Sequence, residues 1–155
     1  MKKFFYFLLV ALPFVLVSCD DDDEVFPRVK MSLDVSGVTI VDGTAYVVQG
    51  DTFKVNDVMV APVDSNANVV LASVSFFWNR MFVGSTVVPP FYFAVKTYPE
   101  MEGKHVLKLR CSLLSEGYSP AIAVAKFRIK VVDSVDDIPE GDPSAEFMIY
   151  PEYEN

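Results

Sequence analysis

Few side chains in this sequence could act as nucleophiles, bases or metal ligands. His105 is the only histidine, and the two cysteines are Cys19 and Cys111. A lone histidine can serve as a metal ligand or as a general base, but both roles need partner residues at a recognisable spacing. No such motif surrounds His105. The sequence therefore predicts a hydrogen-bonded structural histidine, no catalytic residue, no metal site and no enzyme activity.

Cys111 lies in the segment LKLRCSLL, in step with Leu107, Leu109 and Leu113. Alternate residues of a strand share one face, so these four side chains form an apolar stripe. A catalytic thiolate needs an adjacent base and some exposure, and neither is indicated here. We therefore expect Cys111 to be a buried structural thiol.

The other cysteine follows a segment typical of a secretory signal. Lys2 and Lys3 precede the 14 uncharged residues Phe4–Val17, a run shorter than the roughly 20 residues that span a bilayer. An anchor that stays attached is the alternative. Leu16-Val17-Ser18-Cys19 resembles the lipobox of bacterial lipoproteins. That resemblance implies cleavage before Cys19, a covalent lipid on its sulfur, no cofactor, and a membrane as the first partner.

Five consecutive acids follow the predicted lipidation site: Asp20, Asp21, Asp22, Asp23 and Glu24. They resemble the export signal of Bacteroidetes lipoproteins, which implies a position on the outer face of the outer membrane. The periplasmic face is the alternative. A solvated tether that repels anionic headgroups would also explain the acids. A calcium site is disfavoured, because consecutive acids at a free terminus do not converge easily on one ion.

Charge is unevenly distributed along the 155 residues, whose net charge is −8. Residues 25–132 hold 11 bases and 8 acids, whereas residues 133–155 hold 8 acids and no base. The length fits about one domain. The acidic balance argues against nucleic acid as the partner of the whole chain.

From residue 25 onward, apolar and polar residues alternate as in half-buried strands. Turn signals such as Asp42-Gly43 separate the runs, and an irregularity is expected near Asn56-Asp57. We predict an all-β fold, an immunoglobulin-like two-sheet antiparallel β-sandwich of about seven strands. Trp78 is expected in the core, with sugar stacking as its alternative role. The predicted inward faces include Val29 to Val35, Val70 to Trp78, and Ala123 to Val131.

Four segments carry a family resemblance: VVQGDTFKV, ASVSFFWNRMFVG, PPFYFAV and EGKHVLKLRCSLLSEGYSPAIAVAKFRIKVV. Over roughly Gln49–Val132 they resemble the immunoglobulin-like domains of Bacteroidetes surface proteins. Asn79-Arg80 stands where that family has Asp-Gly or a close relative, which predicts a turn longer than two residues. The resulting domains are a signal peptide (1–18), a lipidated tether (19–27), the sandwich (28–132) and an acidic tail (133–155).

The last two predicted strands place cations on the face opposite their apolar residues. If these strands pair, the exposed set near the aromatic strand comprises Phe77, Lys108, Arg110, Lys126, Arg128 and Lys130. Three interpretations follow: a solvated charged face, a contact surface for an acidic partner or glycan, or a surface covered by the acidic tail. The tail contains Phe147, Ile149 and Tyr153, so it could add an edge strand in cis or to a neighbour.

The sequence thus favours a lipid-anchored, non-catalytic binding or adhesion module for a glycan or protein ligand. A structural accessory subunit of an outer-membrane or fimbrial assembly is the alternative. Exposed loop aromatics at Tyr92, Tyr98 and Tyr118 would favour a glycan ligand. Asp133-Ser134-Val135 also resembles a bacterial O-glycosylation site. The oligomeric state is left open.

Overall fold

The computed structural model describes residues 25–64, 66–141 and 147–154, and most of them form strands. Eleven strands and two single-turn 3-10 segments, Pro99–Met101 and Val135–Asp137, lie within this part of the chain. No helix in it is long and apolar enough to cross a bilayer. Cys19 and the acids at 20–24 lie outside the described residues.

The strands follow one another closely in sequence, with turns between them. They are β1 (Val29–Ser36), β2 (Thr39–Val41), β3 (Thr44–Val48), β4 (Thr52–Pro62), β5 (Val69–Trp78), β6 (Met81–Thr86), β7 (Phe93–Lys96), β8 (Gly103–Ser115), β9 (Ala121–Val132), β10 (Phe147–Ile149) and β11 (Glu152–Glu154).

Two sheets face each other, which confirms the predicted all-β sandwich. The smaller sheet has the order β10-β1-β4-β7, and the larger has the order β2-β3-β9-β8-β5-β6. Strands β8 and β9 form the longest ladder, which runs from Gly103↔Val131 to Leu113↔Ala121. β11 pairs with the first part of β9, and β3 pairs with the last part. Since β8 occupies the other edge of β9, β3 and β11 lie end to end along one edge.

Alternation along the strands builds the core, as expected for sheets with one buried and one solvated face. Phe76 of the larger sheet stacks on Phe93 of the smaller, with ring centroids 5.0 Å apart. Phe53 and Trp78 also meet across the two sheets, with centroids 6.2 Å apart and ring planes tilted by 54°. Cys111 is fully buried beside its leucine neighbours, which confirms the predicted apolar stripe.

The prediction of a purely antiparallel sandwich of about seven strands is wrong in two respects. There are more strands among the described residues, and β3 pairs in parallel with β9, Thr44 lying beside Arg128. The β2–β3 hairpin turns at Asp42-Gly43, as predicted, with φ values of 48° and 67°. Both values suit the two-residue turn that Asp-Gly favours.

One predicted inward face is also wrong, because β5 contains an irregularity. The register with β8 shifts between Leu71 and Ser73, so the residues before the shift change faces. Val70, predicted inward, is 50% exposed, while Val69 and Leu71 pack against the core. The irregularity predicted near Asn56-Asp57 is confirmed, since the β1 register skips Asn56.

The turn at Asn79-Arg80 was expected to exceed two residues, but it does not. Trp78 pairs directly with Met81. Only Asn79 has a positive φ, 57°, which asparagine tolerates; Arg80 does not share it. The Asn79 side chain also accepts a hydrogen bond from the backbone N–H of Val106 at 3.0 Å. That contact fixes the turn against β8.

The acidic tail adds one short strand to each sheet. β10 extends the smaller sheet beside β1, and β11 extends the larger sheet beside β9. Phe147 is only 2% exposed, and its ring lies 4.8 Å from that of Phe127. The Tyr153 hydroxyl donates a hydrogen bond to the Pro27 carbonyl at 2.6 Å. The strands of the sandwich therefore extend past residue 132.

Phe147→Ala should lower the free energy of unfolding by about 3 kcal/mol, because it removes a buried ring that closes one side of the core. Met148→Ala is the matched control: its side chain lies on the opposite face of the same strand and is 38% exposed. Urea denaturation measures both. A loss in Phe147→Ala no larger than in Met148→Ala would contradict the observed packing of the tail.

Candidate binding face

The β8–β9 ladder brings the predicted cations onto one outer surface. Lys108 lies opposite Lys126, and Lys104 lies opposite Lys130. The alternate residues Leu107, Leu109, Phe127 and Ile129 point inward and are buried, so the charged side chains must point to solvent. We call this outer surface of β8 and β9 the basic face; its cations are Lys104, Lys108, Arg110, Lys126, Arg128 and Lys130.

Two aromatic rings flank the basic face on its neighbouring strands. The Lys108 ammonium lies 4.3 Å from the centre of the Phe77 ring on β5. The Lys130 ammonium lies 5.8 Å from the Tyr46 ring on β3. Phe82 of β6 packs edge-on against Phe77 at 5.5 Å. Cation–π contacts of this kind hold the ammonium groups over rings instead of beside carboxylates.

Two shallow clefts lie on this surface on either side of Val106. One, of about 390 Å³, is lined by Tyr46, Lys104, Arg128 and Lys130 among others. The other, of about 520 Å³, is lined by Asn79, Arg80, Val106, Lys108 and Lys126. No acid lines either cleft. Their lining can therefore attract anions but offers no second charge to a cationic ligand.

Two cations of the basic face are paired with the tail. The Arg110 guanidinium donates to the Glu154 carboxylate at 2.8 Å, and the Lys126 ammonium lies 3.5 Å from the Glu152 carboxylate. All four side chains are between 43% and 82% exposed, so each pair contributes about 0–1 kcal/mol. The suggestion that the tail folds back over the cations therefore holds for these two.

The remaining cations have no such partner. Within the described residues, no carboxylate lies within 4.0 Å of Lys104, Lys108, Arg128 or Lys130, nor of Arg80 at the edge of the second cleft. These five residues and the two paired ones carry one sign of charge over a continuous surface. The structure thus assembles every predicted member of the face and divides it into a paired and an unpaired part.

The sequence analysis missed three residues that lie on or beside the basic face. Lys104 lies four residues before Lys108 and on the same face of β8. It could have been found by beginning the alternating pattern of β8 at Gly103. Arg80 reaches the surface because the β5–β6 turn is short. Tyr46 has no local signal, because its place depends on the parallel pairing of β3 with β9.

His105 lies beneath the first cleft, and its ring is held by three polar neighbours, one of which is the Asn79 side-chain nitrogen, 3.1 Å from Nδ1. Its Nε2 lies 2.6 Å from the Met101 carbonyl oxygen, and its Nδ1 lies 3.2 Å from the Trp78 indole nitrogen. An indole N–H only donates, so Nδ1 accepts and Nε2–H donates to Met101. This arrangement fixes one neutral tautomer and leaves no ring nitrogen for a substrate. Trp78 is 6% exposed, so neither indole face is open to a sugar.

Cys111 is equally unsuited to chemistry. Burial in the apolar core raises the pKa of its thiol to about 12, so the thiolate is scarce near neutral pH. Among the described residues, no cluster of histidine, cysteine or acidic side chains could hold a metal ion.

The loop aromatics are only partly available. Tyr92 and Tyr98 are each 53% exposed and flank the ends of β7 in the smaller sheet, away from the basic face. Tyr118 packs edge-on against Phe26 at 6.0 Å. The three tyrosines therefore do not form one aromatic platform with the cations.

Comparison with known proteins yields similarity at the level of the fold. No protein-family model matches the chain, and no curated protein matches it. Among solved structures, it is similar to the fibronectin(III)-like modules of Clostridium thermocellum CbhA, with 16% identity and a TM-score of 0.36, over 61% of this chain and 92% of that one. That likeness concerns the fold alone. The two packed sheets themselves define the class as an all-β, immunoglobulin-like sandwich.

Alkaline pH should destabilise the protein through Cys111. The unfolded thiol ionises near pH 9.0, whereas the folded thiol stays neutral until about pH 12. The unfolded state therefore binds fewer protons between these values, and stability falls by up to about 1.4 kcal/mol per pH unit. Urea denaturation at pH 8 to 10 measures the slope. Cys111→Ala should remove most of it, and an unchanged slope in that variant would contradict the assignment.

Proposed function

We propose that this chain is a lipid-anchored, non-catalytic binding module of a bacterial cell envelope, with the basic face as its contact surface. One observation carries the proposal: four cations of the basic face and Arg80 in the adjacent turn lie near two aromatic rings and have no carboxylate within 4.0 Å in the described residues. An anionic ligand can supply the missing charges.

The rest of the described chain supports binding over catalysis. Both ring nitrogens of His105 make structural hydrogen bonds, and Cys111 is buried as a neutral thiol. The clefts beside Val106 are open and shallow, a shape that suits an extended ligand better than an enclosed small molecule.

Anchoring rests on the lipobox resemblance at residues 16–19 and on the position of Val25. Phe26 packs against Tyr118 in the β8–β9 turn, so the chain joins the sandwich at that end. Five residues separate Cys19 from Val25, and the six Cα-to-Cα steps span at most about 20 Å when extended. Lipidated at Cys19, the module would stand close to its membrane, with the β8–β9 turn as the nearer end.

A second function, an accessory subunit of an envelope assembly, is favoured by the edge strand β6. Met81 and Phe82 are 66% and 57% exposed, and no residue of Met81–Thr86 is charged. Edge strands are usually protected by charges, proline or coverage, because an open edge can pair with another chain. A partner could therefore dock on β6 by strand addition.

Cys19→Ser should move the protein from the membrane fraction to the soluble fraction. The reason is that two or more acyl chains on Cys19 provide stable anchoring, and the acidic tether adds none. Cell fractionation followed by mass spectrometry of the amino-terminal peptide measures this. Ser18→Ala, which keeps Cys19, is the matched control and should stay in the membrane fraction. Membrane retention of a Cys19→Ser chain that begins at residue 19 would contradict lipid anchoring.

The two candidate functions predict different variants to be defective. Lys104→Gln/Arg128→Gln should weaken binding to a heparin fragment about tenfold, because each exposed charge contributes about 0.5–1 kcal/mol. Titration calorimetry at low salt measures the affinity. For an accessory subunit, Val83→Lys on β6 should instead abolish co-purification of a stoichiometric partner.

Lys30→Gln/Lys54→Gln is the matched control for the basic face, since it removes the same charge from the exposed surface of the smaller sheet. It should leave heparin affinity within about twofold of the wild type. Equal losses in the two double variants would show that only net charge matters, and the basic face would not be the contact surface.

A further inference from the structure

We infer that Glu152 and Glu154 confine anion binding to the half of the basic face that is distant from the tether. The inference rests on the proposed function and specifies its ligand contacts. A linear anionic polysaccharide would bind four cations of the basic face: Lys104, Lys108, Arg128 and Lys130. It would not bind Arg110 and Lys126.

The position of each cation along the ladder gives the two halves. Arg110 and Lys126 lie toward the β8–β9 turn, and Lys104 and Lys130 lie at the opposite end, next to Gly103. Lys104 is eleven residues from Ser115, or about 36 Å at about 3.3 Å per residue. Since Phe26 contacts the β8–β9 turn, Lys104 is also at the end distant from the tether.

In the described part of the tail, the carboxylates paired with the basic face lie in the half near the tether. Strand β11 pairs Glu152 with Val124 and Glu154 with Ile122, which places both carboxylates beside the first residues of β9. They reach Arg110 and Lys126 but no other cation of the basic face. Lys108 is level with Lys126 and has no carboxylate partner in the described residues; the other unpaired cations of the basic face lie beyond the end of β11, where β3 takes over the same edge of β9.

Weak ion pairs can still exclude a ligand when they are tethered. Each exposed pair is weak by itself. However, β11 is fixed on one side by the Tyr153 hydrogen bond to Pro27 and by its ring contact with Phe26 at 5.7 Å. The carboxylates thus remain near their cations at a high effective concentration, so a free anion must compete with an intramolecular one.

The shape of the free half suits a linear polymer. Neighbouring cations on one strand are spaced by two residues, or about 6.6 Å, and adjacent strands by about 4.8 Å. Arg128 and Lys130 form such a pair on β9, with Lys104 opposite on β8. A chain with sulfate or carboxylate groups along its length can contact several of them without entering a pocket.

A double-mutant experiment tests the confinement on the complete mature chain, made soluble by Cys19→Ser. The probe is a size-defined heparin fragment, titrated at several NaCl concentrations. In the wild-type background, Lys104→Gln/Arg128→Gln should weaken binding about tenfold, and Arg110→Gln/Lys126→Gln less than about twofold.

Glu152→Gln/Glu154→Gln should tighten binding about threefold or more and should increase the magnitude of the log–log salt slope by about 1–2, because two further cations become available. In this background, Arg110→Gln/Lys126→Gln should abolish the gain. Asp34→Asn/Asp64→Asn is the matched control: it removes the same charge and frees Arg28 from its pair with Asp64, away from the basic face. It should change affinity less than about twofold.

Two results would overturn the confinement while leaving the proposed function intact. One is a loss in Arg110→Gln/Lys126→Gln as large as that in Lys104→Gln/Arg128→Gln in the wild-type background. The other is a gain in Glu152→Gln/Glu154→Gln no larger than in the control. If neither the wild type nor Glu152→Gln/Glu154→Gln binds heparin, the proposed function and the confinement both fail.

Discussion

The register of β8 against β9 is the constraint on which the rest of the structure depends. It places Lys108 directly opposite Lys126, an arrangement that like-charge repulsion disfavours. The repulsion between two exposed charges about 5 Å apart in water is below about 1 kcal/mol. Burying one leucine side chain contributes about 1.5–3 kcal/mol. Since Leu107 and Leu109 are both fully buried, burial of the apolar face determines the register. The weaker repulsion between the opposed lysines does not change it.

A slip of one residue would exchange the two faces of a strand and bury its cations. The basic face is therefore a fixed feature of the ladder, and its repulsion is relieved locally by the surrounding strands. Lys126 gains a carboxylate from β11, and Lys108 gains the ring of Phe77. The tail performs this electrostatic role and a packing role together, because β10 buries Phe147 between the sheets only a few residues earlier. Removing the tail would expose the ring of Phe127 and would leave Arg110 and Lys126 without their carboxylate partners.

Local spacing was enough to predict the long strands, the core cysteine and five of the six cations of the basic face, because each depends on residues two apart in one strand. It was not enough where distant segments meet. The parallel β3–β9 pairing joins residues about eighty positions apart, so Tyr46 could not be placed. The shift at Ala72 depends on the fit of β5 to β8, so the inward prediction for Val70 failed. Similarly, the tail was recognised as a possible edge strand, but its acids could not be matched to particular cations without the register of β11.

A solvated charged face is the simplest alternative to a binding surface, and the two sheets allow a comparison. Surfaces that serve solubility usually intersperse both signs of charge. The outer surface of the smaller sheet does so, with Lys30 and Asp34 both on β1. In contrast, β8 and β9 contribute six cations and no acid. Among the described residues, the only acids within 4.0 Å of these cations are Glu152 and Glu154, and these cover the half nearer the tether. If the surface served only solubility, a mixture of acids and bases on β8 and β9 would serve equally well. Such a mixture would also avoid the repulsion between Lys108 and Lys126. The persistence of one sign at the far half is therefore the feature that favours a ligand.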